Sequence, residues 1–175
     1  MDILNLPDYD VIERSQTALE YIFKIRYTIL PSVCPACGQM LPRLQKFGAM
    51  LQEFRDLPMH GKSVMLIVEH QRFRCQECRQ TFMDTLPGFD EKRRATKRFM
   101  QYVGEKAFSR TFTSLADELN VDEKTIRNIF TDYVADLEKH TAFITPRWLG
   151  IDEITVAGQP RCVLANVEKH SIFFP

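Results

Sequence analysis

Apolar residues recur with a period of two through the first half of the chain. Between Thr17 and Tyr27 they place Leu19, Tyr21, Phe23, Ile25 and Tyr27 on one face. Further on, Val64, Leu66 and Val68 alternate with Met65, Ile67 and Glu69 and run on through Arg72, Phe73 and Arg74. Successive side chains of an extended backbone point to opposite faces, so both stretches are predicted as strands. From Thr96 the period lengthens to about 3.6 and helices are expected. Phe99, Val103 and Ala107, with Tyr102 alongside, mark a first helix that Thr96 is placed to cap. Phe112, Leu115, Ala116 and Leu119 mark a second, with Ser114 and Asp117 spaced as a capping box. After a break at Asn120-Val121, Asp122 can cap a third helix that carries Ile126, Ile129, Phe130, Tyr133, Val134 and Leu137. Trp148 to Val156 and Arg161 to about Phe174 then read as two strands about a turn at Ala157-Gly158-Gln159-Pro160. The fold class is α+β, with expected segments at 1–89, 90–142 and 143–175.

Composition adds bounds. With 45% hydrophobic and 26% charged residues in 175, the chain is an ordinary globular protein, neither fibrous nor disordered. No stretch approaches the roughly 18 consecutive apolar residues of a membrane span, and Met1 leads into Asp2 and Asp8 without the basic start of a secretory signal. A cytoplasmic protein without a membrane partner is expected. The formal net charge is zero, but it is unevenly spread. Lys92, Arg93, Arg94, Lys97, Arg98, Lys106 and Arg110 oppose only Glu91 and Glu105, while residues 113–138 hold seven acids against Lys124 and Arg127. The basic run is either a phosphate-binding patch or simply a solvated helix face.

The cysteines supply the sharpest chemistry. Cys34-Pro-Ala-Cys37-Gly and Cys75-Gln-Glu-Cys78-Arg are two C-x-x-C knuckles with 37 residues between them. A two-residue spacer lets one tight turn aim two thiolates at an ion, and two such turns close a tetrahedron, the arrangement of a structural zinc site. The separation exceeds the roughly 15 to 20 residues of common four-cysteine fingers, so the chain must run out and return. A zinc ribbon of short antiparallel strands is expected, with the metal contributing on the order of 10 kcal/mol or more to folding this module. Iron suits the same thiolates. A redox dithiol and unrelated structural cysteines remain as alternatives, although a redox motif needs only one pair. Cys162 has no partner and is expected as a buried small apolar residue, and the four histidines as structural ones.

Two short helices joined by about three residues, with Ala116 in the first and Val121 in the turn, fit a helix-turn-helix. Its second helix would present Glu123, Lys124, Thr125, Arg127, Asn128 and Thr131 outward. Arg127 and Asn128 then suit guanine and adenine edges in a major groove, and Lys124 and Thr125 lie beside them. Lys92, Arg93, Arg94, Lys97 and Arg98 would hold the phosphate backbone of double-stranded DNA. A plain helical hairpin packed on something else is the other reading. It would leave a zinc-ribbon regulator or protein-interaction adaptor.

The order of these features resembles the ISL-three type of insertion-sequence transposase. The resemblance rests on Cys34-Pro-Ala-Cys37-Gly, Arg55-Asp56-Leu57-Pro58 with Gly61-Lys62, Arg72-Phe73-Arg74-Cys75 through Cys78, and Thr81-Phe82. It continues through Leu115-Ala116 to Thr125-Ile126 and ends at Leu149-Gly150-Ile151-Asp152-Glu153. It implies a zinc ribbon, a helix-turn-helix, and the start of a catalytic domain of ribonuclease-H-like fold. Asp152 matches the first of three acidic ligands for Mg2+ in such a domain. The expected target is then the terminal inverted repeats of a mobile element, with dimerisation open. The second Asp and the Glu of the triad have no counterpart in the 175 residues, and Glu153 cannot stand in because neighbours on a strand face opposite ways. The expected activity is DNA binding without cutting, unless partner carboxylates come from another chain.

Overall fold

The computed structural model describes residues 3–140, 146–156 and 158–173. It divides into two compact units, Met1–Ala135 and Asp136–Pro175.

The first unit is built on a mixed sheet. β1 (Tyr9–Gln16) and β2 (Glu20–Tyr27) form a hairpin, and β3 (Leu44–Met59) and β4 (Lys62–Cys75) form a second and longer one. β5 (Thr81–Met83), β6 (Phe89–Asp90) and β7 (Ala95–Thr96) complete it, in the order β1-β2-β4-β3-β7-β6 with β5 on β4. The expectation of short antiparallel strands is thus corrected in two respects. β3 and β4 run for 16 and 14 residues, and β2 lies parallel to β4, with Phe23 opposite Leu66.

Parallel pairing has a consequence for the cysteines. Chain leaving β2 and chain leaving β4 emerge at the same end of the sheet, so the knuckle after β2 arrives beside the knuckle that ends β4. The tight β3–β4 turn leaves Met59 opposite Lys62, with His60 and Gly61 at φ 52° and 76°. Both central residues of such a turn need positive φ, which glycine adopts freely.

The period-two pattern is borne out where it meets a second layer. Phe23, Ile25, Val64, Leu66 and Val68 are buried with Phe54, Leu86 and Phe89, and Tyr21 and Tyr27 pack at the margin. Leu19 fails the pattern and is 78% exposed. It precedes β2, in a turn where Thr17 Oγ1 accepts from the Leu19 and Glu20 N–H groups. The sheet also continues past residue 89, since β7 pairs with β3 at Ala95–Arg55.

α1 (Lys97–Lys106), α2 (Phe112–Leu119) and α3 (Glu123–His140) follow. Thr96 caps α1, accepting from the Phe99 N–H. The expected capping box at Ser114 and Asp117 does not form. Thr111, one residue before Phe112, is the cap and accepts from the Ser114 N–H, so the helix begins earlier. Phe99, Val103, Leu115, Ala116, Leu119, Ile126 and Ile129 make one buried cluster.

In the second unit β8 (Leu149–Val156), β9 (Gln159–Asn166) and β10 (Ser171–Phe173) form an antiparallel sheet in the order β10-β9-β8. The single long strand expected from Arg161 to Phe174 is therefore two strands. The Asn166 side chain closes the turn between them by accepting from the Glu168 and Lys169 N–H groups. Cys162, expected to be buried, is exposed. Ala157, Phe174 and the boundary expected at 142/143 lie outside the described residues.

Candidate metal centre and nucleic-acid interface

The two knuckles have the same construction. In the first, Val33 bridges Met40, the Cys34 N–H donates to Gln39 O and the Gly38 N–H donates to Cys34 O. In the second, Arg74 pairs with Thr81, the Cys75 N–H donates to Gln80 O and the Arg79 N–H donates to Cys75 O. The residue after each second cysteine is left-handed, Gly38 at φ 72° and Arg79 at φ 62°. Glycine takes that conformation freely, whereas an L-side chain does so at roughly 1–2 kcal/mol.

All four sulfurs converge. Their Sγ atoms lie within 4.8 Å of one another, and Cys34 and Cys78 are 3.8 Å apart. Four thiolates at about 2.3 Å from one ion stand about 3.8 Å from each other, so the cluster fits tetrahedral zinc. Backbone N–H groups prepare the sulfurs. The Cys37 N–H draws the Cys34 thiol down to about 7 against the opposing effect of burial. At Cys75 the Cys78 N–H pulls down, but burial and the Glu77 carboxylate prevail and raise the thiol to about 12. A dication among four sulfurs outweighs both influences, since a coordinating thiol loses its proton outright. Among the described residues these four form the one group of three or more His, Cys, Asp or Glu side chains close enough to share an ion, and Asp152 is not in it.

The helix pair is set by local chemistry. Asn120 ends α2 in the left-handed conformation at φ 51°, and Asp122 starts α3 by accepting from the Thr125 N–H. Ile126 and Ile129 point into the core. Lys124, Arg127 and Thr131 are exposed, and Thr125 and Asn128 are half-buried. Arg127 is held by Glu123 one turn back and lies over the Phe112 ring at 5.3 Å. The Thr125 hydroxyl donates to Asp122.

The basic run is less available than its sequence implies. Lys92 and Arg93 both bind Asp132, at 3.1 and 2.6 Å, and Arg93 also donates to Asn128 O. Arg98 pairs with the buried Asp56 and donates to Leu4 O. Arg94 lies over the Phe54 ring. Only Arg94 and Lys97 of the five make no ion pair among the described residues. Sequence reasoning gave Asp56 no role. It is 4% exposed, accepts from Thr96, Arg98 and the Leu57 N–H, and so ties the sheet to the first helix. Thr96 and Arg98 lie 40 and 42 residues away, and no local signal reveals them.

Asp152 sits in β8 opposite Val163 and is exposed. Glu168 lies in the β9–β10 turn, beyond the end of the ladder that pairs Leu149 with Asn166. The described residues contain no helix long and apolar enough to cross a membrane.

Two family models match the chain. The zinc-finger of transposase IS204/IS1001/IS1096/IS1165 matches residues 30–78, and the helix-turn-helix domain of transposase family ISL3 matches residues 85–134. No curated protein matches, and no solved structure does. The first match spans both knuckles and the second spans α1, α2 and most of α3. With both modules in this order, the chain belongs to the ISL3 transposase family and is the zinc-ribbon and helix-turn-helix portion with which such a transposase binds DNA.

Proposed function

We propose that α3 reads the terminal inverted repeats of a mobile element in the major groove, with zinc holding the ribbon and self-association placing two copies on paired half-sites. The supporting observation is the face of α3 turned away from the core. Lys124, Arg127, Asn128 and Thr131 are spaced 0, 3, 4 and 7 on the side opposite Ile126 and Ile129. Arg127 and Asn128 carry the base contacts on this reading. Lys124, Thr125, Arg94 and Lys97 serve the backbone, joined by Lys92 and Arg93 when DNA displaces Asp132. Arg98 is reserved for Asp56. Thiol ligands that must stay reduced suit a cytoplasmic setting.

The second unit is read as the opening strands of a ribonuclease-H-like domain. Asp152 on its first strand is taken as one Mg2+ ligand of that domain. A two-metal reaction needs several converging carboxylates, and among the described residues Asp152 belongs to no group of three or more His, Cys, Asp or Glu side chains close enough to share an ion.

Selection of bound duplexes from a random pool, followed by titration against salt, tests the proposal. An enriched inverted-repeat-like motif is expected, and Arg127→Ala should cost about 1–3 kcal/mol and relax preference at one position. A pool that stays random, or affinity insensitive to salt, would overturn the proposal and favour a protein-binding adaptor. Magnesium-dependent nicking abolished by Asp152→Ala would show that partner carboxylates reach this residue.

A further inference from the structure

Lys92, Arg93 and Arg98 are paired within the molecule, whereas, among the described residues, the cations at the zinc end of the sheet are not. β3 shifts register between Lys46 and Ala49, leaving Phe47 and Gly48 in a bulge where Gly48 has φ 92°. The Gln71 amide pins this bulge by donating to Gly48 O and Arg72 O. Bulges re-aim side chains, and this one leaves Phe47 48% exposed. The Arg74 guanidinium lies over its ring at 5.7 Å, and Arg72 lines the same shallow concavity as Phe47 and Met83. Arg74 also donates to Arg79 O.

Among the described residues none of Arg72, Arg74 and Arg79 makes an ion pair. The nearby carboxylate of Glu77 accepts from the Cys75 thiol and counts as one free acid once zinc takes that sulfur. A zinc ion with four thiolates carries a residual −2 charge. Arg43, Lys46, Arg72, Arg74 and Arg79 outnumber that charge and Glu77 together.

We infer that Phe47, Arg72 and Arg74 form a second phosphate-binding surface, which grips the backbone of the same duplex that α3 reads. The inference rests on that reading of α3. A planar guanidinium stacked on an aromatic ring is pre-organised and presents its donor fork to a phosphodiester. β3 itself gives the spacing. Arg55 donates to Asn120 O in the helix turn, and Phe47 lies eight residues earlier on the same strand. At about 3.3 Å per residue this is ~26 Å, or about eight steps of duplex at 3.4 Å each. The two contacts would fall on neighbouring stretches of one DNA rod.

The test uses the full zinc-loaded chain and a labelled mixed-sequence duplex of about 30 base pairs, long enough for both contacts, titrated over a range of salt. Arg72→Gln/Arg74→Gln should lower the slope of log affinity against log salt by about 1.8 and weaken binding about tenfold or more at low salt. Arg14→Gln/Lys24→Gln, which removes the same charge from the β1–β2 hairpin, should leave the slope unchanged. An unchanged slope in the first variant with zinc still bound, or an equal loss in the control, would overturn the surface. Should the glutamine variant fail to hold zinc, Arg72→Gln alone decides, since the knuckle contact to Arg79 O is made by Arg74. A slope lowered by about 0.9 with zinc bound supports the surface, and an unchanged slope overturns it. If the wild-type chain itself shows no salt-dependent binding, the reading of α3 fails first and separately.

Discussion

Gly104 of α1 lies against the ring of Tyr133 of α3, so closely that a Cβ on residue 104 would fall among the ring carbons. Glycine inside a helix costs roughly 1 kcal/mol relative to alanine. Here that cost goes with the closest approach of the helices that carry the basic run and the reading face. Ala116, the small residue to which the sequence assigns close crossing, is buried as well, but the tight contact is made at Gly104.

Gly104→Ala is expected to lower the melting temperature although alanine is the better helix former. The clash involves Tyr133 Cγ, which cannot swing aside as a side-chain tip can, and overpacking typically costs about 1–3 kcal/mol. Adding Tyr133→Ala should recover part of the loss, so the two changes will be non-additive in thermal melts. A rise in melting temperature for Gly104→Ala alone would show that the helices separate easily.

Chelation of the metal is expected to unfold part of the first unit and spare the rest. Its main core, around Phe23, Ile25, Phe54, Leu66 and Val68, contains none of the cysteines. Amide exchange after chelation should therefore speed up over residues 30–46 and 74–82, with protection kept in the middle of β4. Uniform loss of protection would instead match the larger contribution expected from a ribbon of short strands.

Arg98 separates a structural cation from a DNA-binding one. Arg98→Ala leaves the buried Asp56 carboxylate without its charged partner, a change that typically costs about 3–5 kcal/mol. The variant should be strongly destabilised in denaturant melts. Its salt slope for DNA, measured where it is still folded, should match wild type. A normal midpoint with a slope lowered by about one would make Arg98 a phosphate contact.

Asp132 gives a pH prediction. The Arg93 hydrogen bond, seconded by Lys92, holds its carboxyl below the usual carboxylate range. A folded pKa below the unfolded one contributes stability that is present above about pH 4 and lost as pH falls through the folded value. The pair is partly exposed, so Asp132→Asn should remove less than about 1 kcal/mol of that acid dependence. The same variant frees Lys92 and Arg93, so its DNA affinity should rise and its salt slope should steepen. Weaker binding would show that Asp132 positions these cations for DNA.

The strands and helices that bury one face were legible in local pattern, because alternation and 3.6-residue spacing report burial wherever a second layer covers them. Phe23 to Tyr27, Val64 to Val68 and Phe99 to Ile129 follow that rule. Leu19 broke it, because a turn takes that residue out of the strand. The bulge at Phe47-Gly48 carried no periodic signal at all.

The cysteine spacing by itself determined the two knuckles, since a two-residue spacer closes each turn and aims its own pair of thiolates whatever lies between the pairs. Capping chemistry likewise determined where α1 and α3 begin, because Thr96 and Asp122 satisfy N–H groups three residues away. Which cations are free to meet DNA was decided only in three dimensions. Asp56 and Asp132 reach their arginines across about 40 residues, and a charge counted along the chain does not show which partner folding brings to it. The convergence of the knuckles at one end of the sheet was also a tertiary result, because it follows from β2 lying parallel to β4, a pairing that period-two alternation leaves open.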